Sequence, residues 1–172
     1  MKKIFTLFIL LSFFSFVFVA CSSRDDSSSS SGYIQVNAEK INIDNVNVHE
    51  KINSNGTNSN EYIFIFTNIG KSNNGIRATK TVQLGIELPT TEQLNGDFNF
   101  KSNTRKISYA STWYMDFDGS NGVSKNILSE GKCSIERKGE NNFTVRFSFN
   151  IGEGESVTGE YSGRVILHNG KN

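Results

Sequence analysis

From Tyr33 onward the apolar residues of this chain recur at every second position, and that period constrains the fold more than any other feature. Ile34, Val36 and Ala38 alternate with Gln35 and Asn37, while Val82, Leu84, Ile86 and Leu88 face one way and Thr81, Gln83, Gly85 and Glu87 the other. Successive side chains of an extended backbone point to opposite sides, so this alternation belongs to strands with one buried face. Composition agrees. After residue 20 the 172-residue chain holds three Ala and five Leu against 14 Ile, eight Val, eight Phe and five Tyr. Good helix formers are scarce and residues suited to a pleated surface dominate, which excludes a helical bundle.

The remaining segments extend the pattern. Ile41 and Ile43 continue the first alternation, but Val46 and Val48 sit on the opposite parity, so a bulge or tight turn is expected at Asp44-Asn45. Tyr62 to Phe66 is apolar throughout, as in a central strand covered on both sides. After Pro89, Thr90 to Leu94 reads as one helical turn, with Thr90 three residues before Gln93 in a capping-box arrangement. Phe98 and Phe100 begin another strand, and Ile107 and Tyr109 the next. Trp113, Met115 and Phe117 prolong that parity, which turns Trp113 inward and leaves Tyr114 exposed beside Asp116. Cys133 and Ile135 share a face. Phe143, Val145, Phe147, Phe149 and Ile151 form a hairpin with Val157, Tyr161, Val165 and Leu167 across Gly152 to Glu155. Gly159 and Gly163 flank Tyr161 on one face, leaving gaps over which neighbouring aromatics can pack. Strands about ten residues apart predict an all-β fold, a single antiparallel β-sandwich or barrel-like domain over residues 33–172. No internal repeat of fixed period is visible.

The N-terminus is of another character. Met1-Lys2-Lys3 precedes an apolar run from Ile4 to Val19 with six Phe, and 15 of the first 20 residues are apolar. This is a secretory signal, short for a membrane span and followed by polar residues; the alternative is an uncleaved N-terminal anchor. Phe18-Val19-Ala20-Cys21 resembles the lipobox of bacterial lipoproteins, with Phe18 in place of the usual Leu. The resemblance implies that residues 1–20 are removed, that the Cys21 thiol carries diacylglycerol, and that the new amino terminus is acylated, which supplies the several chains stable anchoring requires. Residues 21–32, rich in Ser, read as a flexible tether. Within them Arg24-Asp25-Asp26 resembles the export signal of Bacteroidota lipoproteins displayed on the outer leaflet of the outer membrane; the alternative is an ordinary linker on a lipoprotein facing the periplasm. In the C-terminal third, Gly131 to Glu136, Asn142 to Phe147 and Val157 to Gly163, ending in Gly-x-Tyr-x-Gly, resemble a pattern of uncharacterised Bacteroidota β-sandwich lipoproteins. That pattern covers residues 131–165 and implies no activity.

The chemical candidates are few. The 18 basic residues, less Lys2 and Lys3 in the leader, leave 16 against 17 acidic, without a block of either sign. There is thus no basic stripe, and nucleic acid is not expected as a partner. Asp116-Phe117-Asp118-Gly119-Ser120-Asn121-Gly122 resembles the opening of a calcium loop, but Asn121 and Ile127 stand where an EF-hand needs Gly and Glu, and a hairpin turn explains the composition. Zinc is not expected, because one cysteine remains besides Cys21 and His49 and His168 stand alone in the sequence. Cys133 reads as a small buried hydrophobe. No Gly-x-Ser-x-Gly elbow or phosphate-binding loop is present, no spacing singles out a carboxylate pair, and no cofactor is implied. Binding is the stronger class, with Trp113, Tyr114 and Asp116 as candidate ligand contacts. The expected function is that of a lipid-anchored, surface-exposed outer-membrane lipoprotein with a non-catalytic binding or structural role. Its partners are the membrane through the anchor and either a glycan or another surface protein. The alternatives are a glycan-binding accessory of a polysaccharide-uptake system and, behind it, a hydrolase with an unrecognised carboxylate pair.

Overall fold

The structure, a computed structural model, describes residues 30–52, 58–70, 78–118, 121–126, 130–152 and 154–170. The leader, Cys21 and Arg24-Asp25-Asp26 lie outside the described residues. Twelve strands carry the fold: β1 (Ser31–Val36), β2 (Glu39–Asn42), β3 (Asn45–Lys51), β4 (Ser59–Ile69), β5 (Ala78–Pro89), β6 (Gly96–Asn99), β7 (Lys106–Asp118), β8 (Asn121–Asn126), β9 (Gly131–Arg137), β10 (Asn142–Gly152), β11 (Glu155–Arg164) and β12 (Ile166–Gly170). The fold is all-β, with no helix among the described residues. One sheet runs β12-β3-β4-β5-β7-β6-β9-β10-β11-β1-β2, with β8 paired to β7, and curls into a half-barrel. Its pairings are antiparallel except β6 with β7 and β12 with β3, so the sheet is mixed.

The curl brings the two halves of the sheet face to face. Phe64 of β4 meets Phe143 of β10 edge-on at 5.6 Å between ring centroids, and Phe66 lies 5.2 Å from Phe147. Val46, Val48, Leu84 and Ile86 on one side and Ile34, Ile135, Val145 and Val157 on the other complete a single core. Each fully buried side chain of this size contributes about 1.5–3 kcal/mol. The β10–β11 hairpin forms as the sequence predicts, with Val145 opposite Tyr161 and Phe147 opposite Gly159. The Phe147 ring occupies the space a Cβ at Gly159 would take, whereas Ser30 lies against Gly163.

Tyr62 to Phe66 is not covered on both sides: Tyr62, Phe64 and Phe66 are buried, while Ile63 and Ile65 are half-buried on the outer face. Five further expectations are corrected. The chain leaves the hairpin at Val165, and β12 crosses to the other end of the sheet, where Leu167 lies opposite Val48. Asn37, with φ of 53°, turns the chain after Val36, so Ala38 belongs to a hairpin turn. The parity change at Asp44-Asn45 marks the passage from β2 at one end of the sheet to β3 near the other, rather than a bulge. Asp44 pins that passage by accepting hydrogen bonds from the Ile69 amide (2.7 Å) and Asn68 Nδ2 (3.2 Å). Thr90 to Leu94 is no helix; the Glu92 amide donates to Pro89 O at 2.9 Å in a single turn, and buried Leu94 caps the core.

The fifth of these corrections concerns β7. Ser108 pairs with Gly85 and Trp113 with Gln83, so the four residues Tyr109 to Thr112 stand against Leu84 alone. Ser111 fills the space left by the missing side chain of Gly85. The excursion is fastened by the Gly85 amide donating to Thr112 Oγ1 at 3.0 Å, by Gln83 Nε2 donating to Ser111 O at 3.1 Å, and by Ser111 Oγ donating to Glu61. Tyr109, carried outward, stacks on Phe100 at 4.3 Å. Beyond the bulge the parity is inverted: Tyr114 is 3% exposed and Trp113 takes the outward, half-buried position.

Candidate functional site

On β3 the buried Val46 and Val48 commit Asn47, His49 and Lys51 to the outer face, by simple alternation. On β12 the same alternation, set by half-buried Leu167, puts Ile166 and His168 outside. The parallel pairing sets His168 opposite His49, and their rings stack with centroids 4.5 Å apart and planes 12° from parallel. The two histidines therefore do not stand alone. Their outward parity is readable in the sequence, but their juxtaposition depends on β12 crossing to β3, which no local pattern encodes.

The surroundings of the pair are polar. His168 Nε2 lies 2.9 Å from Asn47 Oδ1, and because Oδ1 only accepts, Nε2 donates this bond. Burial, followed by the nearby His168 and Lys51 charges, lowers the pKa of His49 and favours its neutral form. Lys51 is itself held 3.2 Å from Glu61. A shallow cleft of about 420 Å³, lined by both histidines with Glu50, Lys51, Asn169 and Gly170, opens over the pair.

Of the candidate contacts Trp113, Tyr114 and Asp116, the last two are joined and Trp113 lies on the opposite face of β7. Tyr114 donates to Asp116 Oδ2 at 3.3 Å from inside the fold, and burial followed by the Asp116 charge pushes its hydroxyl pKa well up. Lys80 Nζ bridges Asp116 (3.5 Å) and Glu39 (2.9 Å) and so links β5 and β7 to β2. Burial alone would lower the Lys80 pKa, but the two carboxylates outweigh it and raise it. Trp113 continues an outward row formed by Ile166, Asn47, Ile65 and Gln83 in register.

A second cleft, of about 440 Å³, includes Asn60, Tyr62, Thr90, Glu92, Leu94 and Arg137 in its lining. Burial and a hydrogen bond to Glu50 push the Tyr62 hydroxyl up to about 12. The charged groups here are committed within the chain. Glu92 is 2.7 Å from Arg105, and Arg137 donates to the carbonyls of Gly139 (3.1 Å) and Glu140 (2.9 Å).

Cys133 is fully buried, and burial, then the Asp97 charge, pushes its thiol pKa well up, so it is held as the unreactive thiol. Asp118 pairs with Asn121 in the β7–β8 hairpin, while Gly119 and Ser120 of the calcium-like stretch lie outside the described residues. Among the described residues no three His, Cys, Asp or Glu side chains gather as a metal cluster. No family model matches the sequence, and comparison with curated proteins and with solved structures likewise finds no match.

Proposed function

We propose that the protein is a lipid-anchored lipoprotein of the outer membrane, displayed at the cell surface, that acts by non-covalent binding or as a structural accessory. The observation that carries this reading is the sequence Val19-Ala20-Cys21 closing the apolar leader, followed by Arg24-Asp25-Asp26. The fold is compatible with such a tether. Ser30 Oγ accepts from the Arg164 amide at 3.1 Å, so Ser30 already belongs to the folded body. The eight residues 22–29 then reach about 29 Å at most, which keeps the body close to the bilayer. Replacing Cys21 with Ala should move the protein from the membrane to the soluble fraction, and unchanged fractionation would refute the anchor. Added protease should remove the protein from intact cells, and survival of the full-length chain would refute surface display.

A glycan-binding accessory is the second reading, favoured by the outward position of Trp113 beside Gln83 and Ile65. An outward indole offers a stacking surface for a sugar ring. Binding of the protein to one member of a polysaccharide panel, abolished by Trp113→Ala, supports this reading; wild-type protein that binds none removes it.

A further inference from the structure

Both histidines of the chain meet at one point of the sheet edge, brought there from β3 and from β12. We propose that His49 and His168 together bind a divalent transition cation, copper(II) most tightly, with water in the remaining coordination positions. This site is independent of the anchoring and of any glycan.

Imidazole nitrogens suit copper, nickel and zinc, and among these copper(II) forms the strongest complexes with nitrogen and oxygen ligands. Three observations at the pair match what a metal-binding histidine needs. First, two imidazoles stand side by side, His49 opposite His168 with ring centroids 4.5 Å apart. Second, a metal-bound ring characteristically donates its other N–H to a carbonyl or carboxylate, and Asn47 Oδ1 already accepts from His168 Nε2, leaving Nδ1 as the metal ligand. Third, the cleft of about 420 Å³ over the pair leaves room for water ligands. Lys51, which also lines the cleft, is paired with Glu61.

With centroids 4.5 Å apart and planes nearly parallel, the two lone pairs run side by side instead of converging. The His168 ring stays on Asn47, and the His49 ring turns about its side-chain torsions to aim one nitrogen at a point about 2.0 Å from it and from His168 Nδ1. The bound ion then joins β12 to β3 across the sheet edge.

The test is titration of the full-length lipoprotein in detergent with copper(II) alone, followed by electron paramagnetic resonance of the complex. One copper per chain with two coordinated imidazole nitrogens is expected. His168→Ala, at an exposed position, should leave one nitrogen and weaken binding by about a hundredfold, as loss of one of two linked contacts does. His49→Ala should do the same, and Asn47→Ala should weaken binding by about tenfold while keeping both nitrogens. A wild-type spectrum with fewer than two imidazole nitrogens, or copper affinity unchanged in His168→Ala, would overturn the proposal.

Discussion

Phe147 owes its position to what residue 159 lacks. Its ring lies where the methyl of an alanine would stand, opposite on the neighbouring strand. Gly159→Ala must displace that ring from a core in which it also touches Phe66 and Phe149. The expected cost is about 1–3 kcal/mol, the usual effect of overpacking. It should appear as a lower denaturant midpoint with an unchanged slope, and an unaltered midpoint would show that the ring moves freely. A second prediction rests on His49. Its pKa is lowered in the folded state, so the unfolded chain binds the proton more readily. The stability this group contributes is therefore complete above about pH 6.5, its ordinary value, and falls as pH drops through that value toward the lowered one. The melting temperature of the wild type should decrease between pH 7.5 and about 5 by more than that of His49→Gln, and parallel curves would contradict the assignment.

At the scale of the element, β7 shows where period-two reading stops working. Before the bulge Ile107 faces the core, and after it Thr112 and Tyr114 do, because four residues stand against one. Thr112→Val preserves the side chain's shape but removes the acceptor of the buried Gly85 amide. The expected cost is about 1–3 kcal/mol, together with a shift in the fluorescence of Trp113, the neighbouring residue and the chain's one Trp. Normal stability and an unshifted spectrum would mean that Thr112 does not fasten the bulge. The strands whose parity is legible, β5, β9, β10 and β11, hold an unbroken alternation, and the one pairing legible with them, β10 with β11, joins neighbours in sequence. What was not legible depended on distant partners. The inversion in β7 needs Gly85 and Glu61 to receive Ser111, and the histidine pair needs β12 to pass β11 and reach β3. The turn at Pro89 imitated a helix start because a capping-box spacing is also compatible with a single turn closed onto Pro89.

At the scale of the molecule, the half-barrel behaves as one packed body. Phe66, on β4, touches Phe147 of β10 and Tyr161 of β11, so a side chain from one half of the sheet is held by the other. Phe66→Ala should cost about 3–5 kcal/mol, and it should lower one cooperative transition that circular dichroism and Trp113 fluorescence report together. Two separable transitions would show that the halves of the sheet fold independently. Tethering the body by its first strand, as the proposed anchor would, places that single unit beside the bilayer.

The pairing of β12 with β3 also orders events in time. His168 reaches Asn47 across 121 residues, so β3 is synthesised long before its outer neighbour exists. Until β12 docks, one flank of β3 offers bare amides and carbonyls, which any passing extended segment can match. A chain in which β12 is undocked thus carries an adhesive rim on β3, and the contact that covers it is among the most distant in sequence and so among the slow ones to form.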